Sequence, residues 1–235
     1  MKFYAFNGSP RTKRNTSQLL VKSLEGINDT VKKELPDEEI DLELINLYKL
    51  DYTGCRSCFS CKRIGGKSYG HCPIKDDLKP ILQDLENSDG IVLGSPIYLG
   101  DVTGEMRSFF ERLTFQYLVY DANIPTIAPK KLSVGCIYTM NVTEEFYNNS
   151  HYPIVLSNSF ESVLGGIFQK PYSLKVFDTY QFRDYDKYVS TVFDKEEKRK
   201  RREEHFPIDL DDAYKLGSDV ALRAIKIRET ENSTD

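Results

Sequence analysis

No stretch of this chain approaches the roughly 20 apolar residues that a membrane-crossing helix needs. Nor does its start carry the long apolar core of a secretory signal, because Met1-Lys2-Phe3-Tyr4-Ala5-Phe6 runs straight into a glycine turn. No membrane partner and a cytoplasmic location are the expectations. An excess of positive charge is missing too: 32 Lys+Arg stand against 36 Asp+Glu, for a formal net charge of −4, and the pI is about 5.6. Nucleic acid is therefore not expected as a partner. Histidine is scarce, with three in 235 residues; His71 stands beside Cys72 as a neighbour of any site there, while His151 and His205 read as ordinary surface residues. There is no internal repeat. The length suits a single α/β domain, with a core of about residues 1–180 followed by a charged extension and a final helix over about 181–229.

What is present alternates strand and helix. Lys2 to Asn7 reads as a buried strand, Gly8 to Thr16 as a polar loop, and Ser17 to Leu35 as a helix with Leu19, Leu20, Leu24, Ile27 and Val31 on one face. Further strands are expected at Glu39 to Leu47, Gly90 to Ser95, Lys131 to Met140 and Tyr172 to Tyr180. Helices are expected at Asp76 to Asn87, capped by Asp76 or Asp77, at Thr103 to Tyr117, around Ile154 to Ile167, and from about Asp209 to Ile227. Five strands alternating with helices predict a doubly wound parallel sheet covered on both faces, and the order expected of it is 2-1-3-4-5, as in flavodoxins. The run Asp194 to Glu204 holds six basic and five acidic residues. It reads as a solvated helix with i,i+4 pairs, the alternative being a docking arm across a partner subunit. Tyr117 to Tyr120 would line a subunit interface or the mouth of a site, and the tail from Thr230 to Asp235 is expected to fray.

Four of the five cysteines, Cys55, Cys58, Cys61 and Cys72, fall in one window, with Pro73 after the last. In a reducing compartment such clustering points to metal ligands or redox groups before disulfides. C-x2-C-x2-C places three thiolates on one tight turn, which suits the adjacent corners of a cubane cluster, whereas structural zinc usually takes two separated pairs. Cys136, inside Val134-Gly135-Cys136-Ile137, reads as a small core hydrophobe.

Two loops carry a second site. Gly8-Ser9-Pro10-Arg11-Thr12-Lys13-Arg14-Asn15-Thr16-Ser17 lies between the first strand and first helix, where backbone N–H groups and the helix dipole hold an anion. It lacks the Gly-Lys-Ser/Thr of a Walker A loop and is not G-x-G-x-x-G, which disfavours ATP hydrolysis and classical dinucleotide binding. Its neutral donors suit a phosphate monoester. The second loop, Ser95-Pro96-Ile97-Tyr98-Leu99-Gly100-Asp101-Val102-Thr103-Gly104, follows the third strand. In a doubly wound sheet it rims the same crevice, with Tyr98 offering a stacking face. Thr139-Met140-Asn141 after the fourth strand would close that crevice and supply donors to ring carbonyls.

These two loops, with Cys72-Pro73-Ile74-Lys75-Asp76-Asp77, resemble the flavodoxin-fold NAD(P)H-dependent FMN reductase family over roughly residues 1–180, and the cysteine run resembles its iron-sulfur flavoprotein branch. The resemblance implies FMN, with phosphate at Ser9, Arg11, Asn15, Thr16 and Ser17 and the isoalloxazine ring against Pro96, Ile97, Tyr98, Leu99 and Gly100. It also implies a [4Fe-4S] cluster on Cys55, Cys58, Cys61 and Cys72, a homodimer or homotetramer, and a nicotinamide, ferredoxin or quinone as redox partner. In that branch the last cysteine follows the third after a few residues, whereas here the ten residues Lys62 to His71 intervene. The cysteines are thereby left open between cluster, zinc and free thiols. A cluster-free NAD(P)H-dependent FMN or quinone reductase is the alternative within enzymes. A non-flavin phosphate-binding regulatory module is the alternative outside them, disfavoured by the absence of an acidic pair at Asn7-Gly8-Ser9.

Overall fold

The computed structural model describes residues 1–124 and 126–233. In chain order its elements are β1 (Lys2–Asn7), α1 (Asn15–Glu34), β2 (Asp41–Asn46), α2 (Leu78–Asp84), β3 (Gly90–Tyr98), β4 (Asp101–Val102) and α3 (Gly104–Phe115). They continue with β5 (Ser133–Thr139), α4 (Glu144–Asn148), α5 (Tyr152–Leu156), α6 (Ser162–Ile167), β6 (Tyr172–Val176), α7 (Lys195–Glu204) and α8 (Phe206–Asn232). One π-helical turn, Ser157–Glu161, joins α5 to α6.

The parallel strands lie in the order β2-β1-β3-β5-β6, which is the expected order of five once the two-residue β4 is set aside. That sixth strand, absent from the sequence expectation, turns back antiparallel on the end of β3, pairing Ile97 with Val102 and Tyr98 with Asp101. β3 therefore runs three residues past the expected Ser95. Pro96, opposite Thr139, and Ile97 are part of the sheet; only Leu99 and Gly100 form the turn.

Apolar side chains of the strands face two layers. One core packs Phe6, Leu93, Cys136 and Tyr138 against α3 and the α5–α6 helix, through Phe109, Leu113 and Phe160. The other packs Ala5, Val92 and Ile137 against α1 and α8, through Leu19, Ile27, Val220 and Ala224. Cys136 is fully buried, and burial pushes its thiol far above the usual range. α8 is longer at both ends than its periodicity suggested and carries Thr230 and Glu231 in its last turns, while Thr234 and Asp235 of the expected frayed tail lie outside the described residues. Among the described residues no helix is long and apolar enough to cross a membrane.

Three local expectations fail for identifiable reasons. Asp77 makes no side-chain cap on α2, and the Asp76 carboxylate, although the Leu78 N–H at the start of the helix hydrogen-bonds to it, is held by a stronger partner. Asp76 Oδ2 accepts from Arg112 Nη1 at 2.8 Å, and Asp77 Oδ2 accepts from the Asp51 N–H at 2.8 Å. Tyr117 faces the core rather than an interface or a mouth, packed edge-on to Phe168, and only Tyr120 of that pair is exposed. The charged run is helical and carries the expected Arg199–Glu203 pair, but Lys198 within it is 2% exposed.

Candidate functional site

The crevice forms where β1 and β3, neighbours in the sheet but successive in no sense along the chain, send their following loops to opposite sides, the arrangement that opens a ligand site at the carboxyl ends of parallel strands. The loop after β1 is fixed from beneath. The Gly8 N–H donates to Gly94 O at 2.8 Å, and Thr103 Oγ1 donates to Gly8 O at 2.7 Å while the Thr103 N–H donates to Ser95 Oγ at 3.1 Å. A Cβ at Gly8 would press on Met106 and Gly94 O, so only glycine lets the first and second loops meet this closely. Thr16 Oγ1 and Thr139 Oγ1 share a hydrogen bond of 2.8 Å. Buried hydroxyls thus tie the phosphate-type loop to the loop after β5.

Ser9, Thr16 and Ser17 are all buried, and the Ser9 hydroxyl accepts from the Arg11 N–H at 3.2 Å. Arg11 points outward and donates from Nη1 to Gln181 O at 2.7 Å. Beside this outer turn opens a cavity of about 640 Å³ lined by Arg11, Lys13, Arg14, Arg183 and Lys187 among others, which makes the approach strongly electropositive. Asn15 has its side-chain amide engaged away from the loop interior: Nδ2 donates to Tyr180 O at 3.2 Å, and Oδ1 accepts from Arg202 Nη1 at 2.9 Å.

On the second loop, Tyr98 and Leu99 are exposed, and Leu99 (φ 53°) and Gly100 (φ 91°) both lie in the left-handed region. A side chain at Gly100 would strike Tyr152 and His151, so His151, expected as an ordinary surface residue, abuts the crevice loop. On the third loop Met140 is buried. Its N–H donates to Val176 O at 2.9 Å, and its carbonyl accepts from Thr179. Asn141 Oδ1 is buried with no partner. A buried acceptor left unmade is costly, and a planar ring presenting an N–H there would satisfy it; the crevice fits a flavin on this observation.

Sequence reasoning missed what stands behind the third loop. Lys198 of α7 donates from Nζ to Asn141 O at 2.7 Å and pairs with Asp178, itself at φ 53°. Burial pushes the Lys198 ammonium below the usual lysine range, and Asp178 pulls it partly back. Four residues on, Arg202 donates to Asn15 and also to Gln18 Oε1 at 2.8 Å. One helix therefore holds the backs of two crevice loops. The charge run concealed this, since nothing in its composition distinguishes Lys198 from its neighbours.

The cysteine window packs along α3. Tyr52 donates to Glu105 O at 2.6 Å, the Cys55 N–H to Glu111 Oε2 at 3.1 Å, and the Cys72 N–H to Gln116 Oε1 at 2.9 Å. The excursion from Lys62 to His71 turns at Gly65 (φ 71°) and Gly70 (φ 77°) and closes with the Gly70 N–H on Cys61 O at 3.0 Å. Lys62 at its base donates to the carbonyls of Phe115 and Leu118 at the end of α3. Closure returns Cys72 to the others. All four cysteines, with Arg112 and Gln116, line one small cavity. His71 does not; its Nδ1 is 2.8 Å from Glu86 Oε1.

Ser57 (φ 50°) and Phe59 (φ 55°) are left-handed without being glycine, so the turn carrying three cysteines holds backbone strain of the kind found at functional sites. Backbone and side-chain hydrogen bonds of Ser60 lower the Cys58 thiol, whereas burial raises that of Cys61, with Cys72 and Cys55 adding to the rise. Among the described residues no group of three His, Cys, Asp or Glu side chains converges as a single ion would require. Two residues that line the cavity each carry a buried donor with no hydrogen-bond partner, Arg112 Nε and Gln116 Nε2. Thiolates gathered around unmade donors fit a group that brings several acceptor sulfurs of its own.

Comparison with known proteins gives three findings. A family model described as NADPH-dependent FMN reductase matches residues 1–127. Curated relatives include an iron-sulfur flavoprotein of Methanocaldococcus jannaschii, 35% identical over 112 residues, 48% of this chain and 51% of the relative. Another, from Archaeoglobus fulgidus, is 38% identical over 112 residues, 48% of each. The chain thus spans about half the length of the curated relatives it matches. Among solved structures, an NAD(P)H:quinone oxidoreductase from Methanothermobacter marburgensis superposes with a TM-score of 0.65 at 15% identity, covering 94% of this chain and 96% of the other. An azoreductase from Bacillus anthracis gives 0.60 at 15% identity, covering 93% and 99%. Both share the fold.

Proposed function

The chain belongs to the NADPH-dependent FMN reductase family, and on that premise we propose that it is an FMN-binding oxidoreductase, drawing electrons from a nicotinamide or a ferredoxin, in which a [4Fe-4S] cluster on Cys55, Cys58, Cys61 and Cys72 serves as a second redox centre. The observation that carries the flavin part is the joining of three loops at the switch point through buried hydroxyls, Thr16 to Thr139 and Thr103 to Gly8. The iron-sulfur names of the curated relatives and the shared cavity of the four cysteines support the cluster. A cluster takes each thiolate on a different iron and so asks for less convergence than one zinc ion would.

When bound, FMN accepts a hydride or single electrons and a cluster passes electrons one at a time, so the pair converts between two-electron and one-electron partners. The chain's own residues bind and orient. Ser9, Thr16 and Ser17 with the backbone N–H groups at the start of α1 would hold the phosphate, and Arg11, Lys13 and Arg14 raise the potential at its approach. Tyr98, Pro96, Ile97, Leu99 and Gly100 offer the ring a face, and Thr139, Met140 and Asn141 close the opposite side. α3 begins at the second loop and ends beside the cysteines. From Gly104 to Arg112 it rises by roughly 12 Å, so one rigid element spaces the two centres. The protein acts as a homo-oligomer in the cytoplasm, its exposed Tyr98 and Leu99 becoming covered on assembly.

An absorption spectrum of anaerobically purified protein, with FMN titration and assays of iron and acid-labile sulfide, tests this. A flavin spectrum with four irons per chain is expected. A protein that takes up no FMN sinks the flavin reading; flavin without iron or sulfide sinks the cluster and leaves the cluster-free reductase.

A further inference from the structure

We infer that Arg112 and Gln116 donate hydrogen bonds to the sulfurs of the group held by the four cysteines, and that they raise its reduction potential. This rests on the cluster reading above. Arg112 is 1% exposed, the largest fully buried side chain among the described residues. Its guanidinium is fixed at one end, with Nη1 donating to Thr53 O at 2.9 Å and to Asp76 Oδ2 at 2.8 Å, and Nη2 to Asp76 Oδ1 at 3.2 Å. Nε is left over, buried and with no acceptor of its own, and the guanidinium already lies within hydrogen-bonding reach of the Cys72 thiol. Four residues on, at the C-cap of α3, Gln116 is fixed in the same manner: Oε1 accepts from the Cys72 N–H at 2.9 Å, and Nε2 is left over, again buried and unpartnered.

A buried donor without an acceptor costs of the order of 1–3 kcal/mol, and native structures rarely retain one without cause. Here two occur four residues apart on one helix face, the spacing that brings side chains together, and both residues line the cavity walled by Cys55, Cys58, Cys61 and Cys72. The cavity offers no oxygen acceptor they use. Thiolate and sulfide sulfurs accept hydrogen bonds, and such bonds to cluster sulfurs are among the determinants of potential. Reduction adds one electron, with no bond made or broken, and increases the negative charge on the sulfurs. Charge-assisted donors stabilise the more negative form more strongly. Because Asp76 balances the charge of Arg112, the directed N–H groups rather than net charge carry the effect.

The test is a potentiometric titration with dithionite as reductant, followed by the cluster's absorbance and electron paramagnetic resonance, on the parent, Gln116→Met and Arg112→Lys, each assayed for iron and sulfide. Gln116→Met keeps the length of the side chain and removes the donor; Arg112→Lys keeps the charge beside Asp76 and removes Nε. The expected result is iron content equal to the parent and a reduced-to-oxidised ratio at fixed potential lowered about tenfold, a fall of about 59 mV for one electron, with the flavin potential unmoved. Should Arg112→Lys fail to fold, Gln116→Met decides. Retained iron with an unchanged potential overturns the inference. So does loss of iron from the variants alone, which would make both side chains mere supports of the Cys72 loop. A parent without iron overturns the cluster reading instead.

Discussion

At the scale of single residues, the molecule concentrates its unusual backbone where chemistry is expected. Among the described residues four that are not glycine have positive φ: Ser57 and Phe59 between the cysteines, Leu99 on the second crevice loop, and Asp178 behind the third. Each such conformation costs of the order of 1–3 kcal/mol and persists only where surrounding contacts enforce it. Leu99 is fully exposed, so its own side chain cannot be the reason; the turn serves to place Tyr98 and Gly100. Tyr98 is held in the β3–β4 pairing and is 46% exposed beside the crevice. Tyr98→Ala is expected to weaken FMN binding by about 1–3 kcal/mol, the loss of an aromatic contact buried on binding, without loss of fold. Fluorescence titration of FMN against the variant measures this, and an unchanged dissociation constant would remove Tyr98 from the site.

At the scale of elements, β1 was legible to the residue because Phe3 to Phe6 form an uninterrupted apolar run opening on a glycine turn, and alternation of strands and helices implied the parallel sheet, whose order came from likeness to flavodoxins. The two loops and the cysteine window were legible as compositions. What they touch was not, since Thr16 meets Thr139 and Arg202 meets Asn15 across more than a hundred residues of chain. The end of β3 escaped because Pro96 reads as a strand stop; pairing with Thr139 carries the strand through it. The charged helix α7 shows the sharpest gap, because i,i+4 ion pairs describe its outer face while Lys198 is turned inward. Lys198→Met removes the donor to Asn141 O and leaves Asp178 unpaired. Breaking a fully buried pair costs about 3–5 kcal/mol; Asp178 retains some solvent, and about 2 kcal/mol of destabilisation is expected. The third loop, no longer held, should bind FMN about tenfold more weakly. Urea unfolding and FMN titration check the two effects separately, and a variant as stable as the parent would show that α7 merely rests on the loop.

At the scale of the whole molecule, two long-range contacts decide how the layers cohere. The first joins the cysteine segment to the sheet-covering helix α3 through Asp76 and Arg112, with side chains 12% and 0% exposed. Burial works to raise the Asp76 carboxyl, but the hydrogen bond and charge of Arg112 overcome it and hold its pKa below the usual carboxylate value. A folded pKa below the unfolded one contributes stability that is complete above about pH 4 and disappears as pH falls through the lower, folded value. Asp76→Asn should therefore cost roughly 3 kcal/mol near neutral pH, with the gap to the parent narrowing below about pH 4; urea melts at pH 7 and pH 3 give the comparison, and a gap independent of pH would contradict the ion pair. The second contact joins the two ends of the chain. α8 lies on α1, the helix that carries the phosphate-type loop, and the two approach so closely that a Cβ at Gly26 would fall on the Tyr214 carbonyl and one at Gly217 on the Ser23 carbonyl. Backbone rather than flexible side chain is met on both sides, so neither helix can yield without moving as a whole. Gly217→Ala gains intrinsic helix propensity of up to about 1 kcal/mol, yet forcing the helices apart costs typically 1–3 kcal/mol, occasionally more, because it opens the layer formed by Leu20, Ile27, Val220 and Ala224. Net destabilisation is expected, together with weaker FMN binding, since α1 shifts with the loop at its start. An exposed helical glycine such as Gly166, whose Cβ would meet nothing within 4 Å, provides the control: Gly166→Ala should be neutral or stabilising in the same thermal melts, and equal behaviour of the two variants would mean that α1 and α8 do not depend on their close approach.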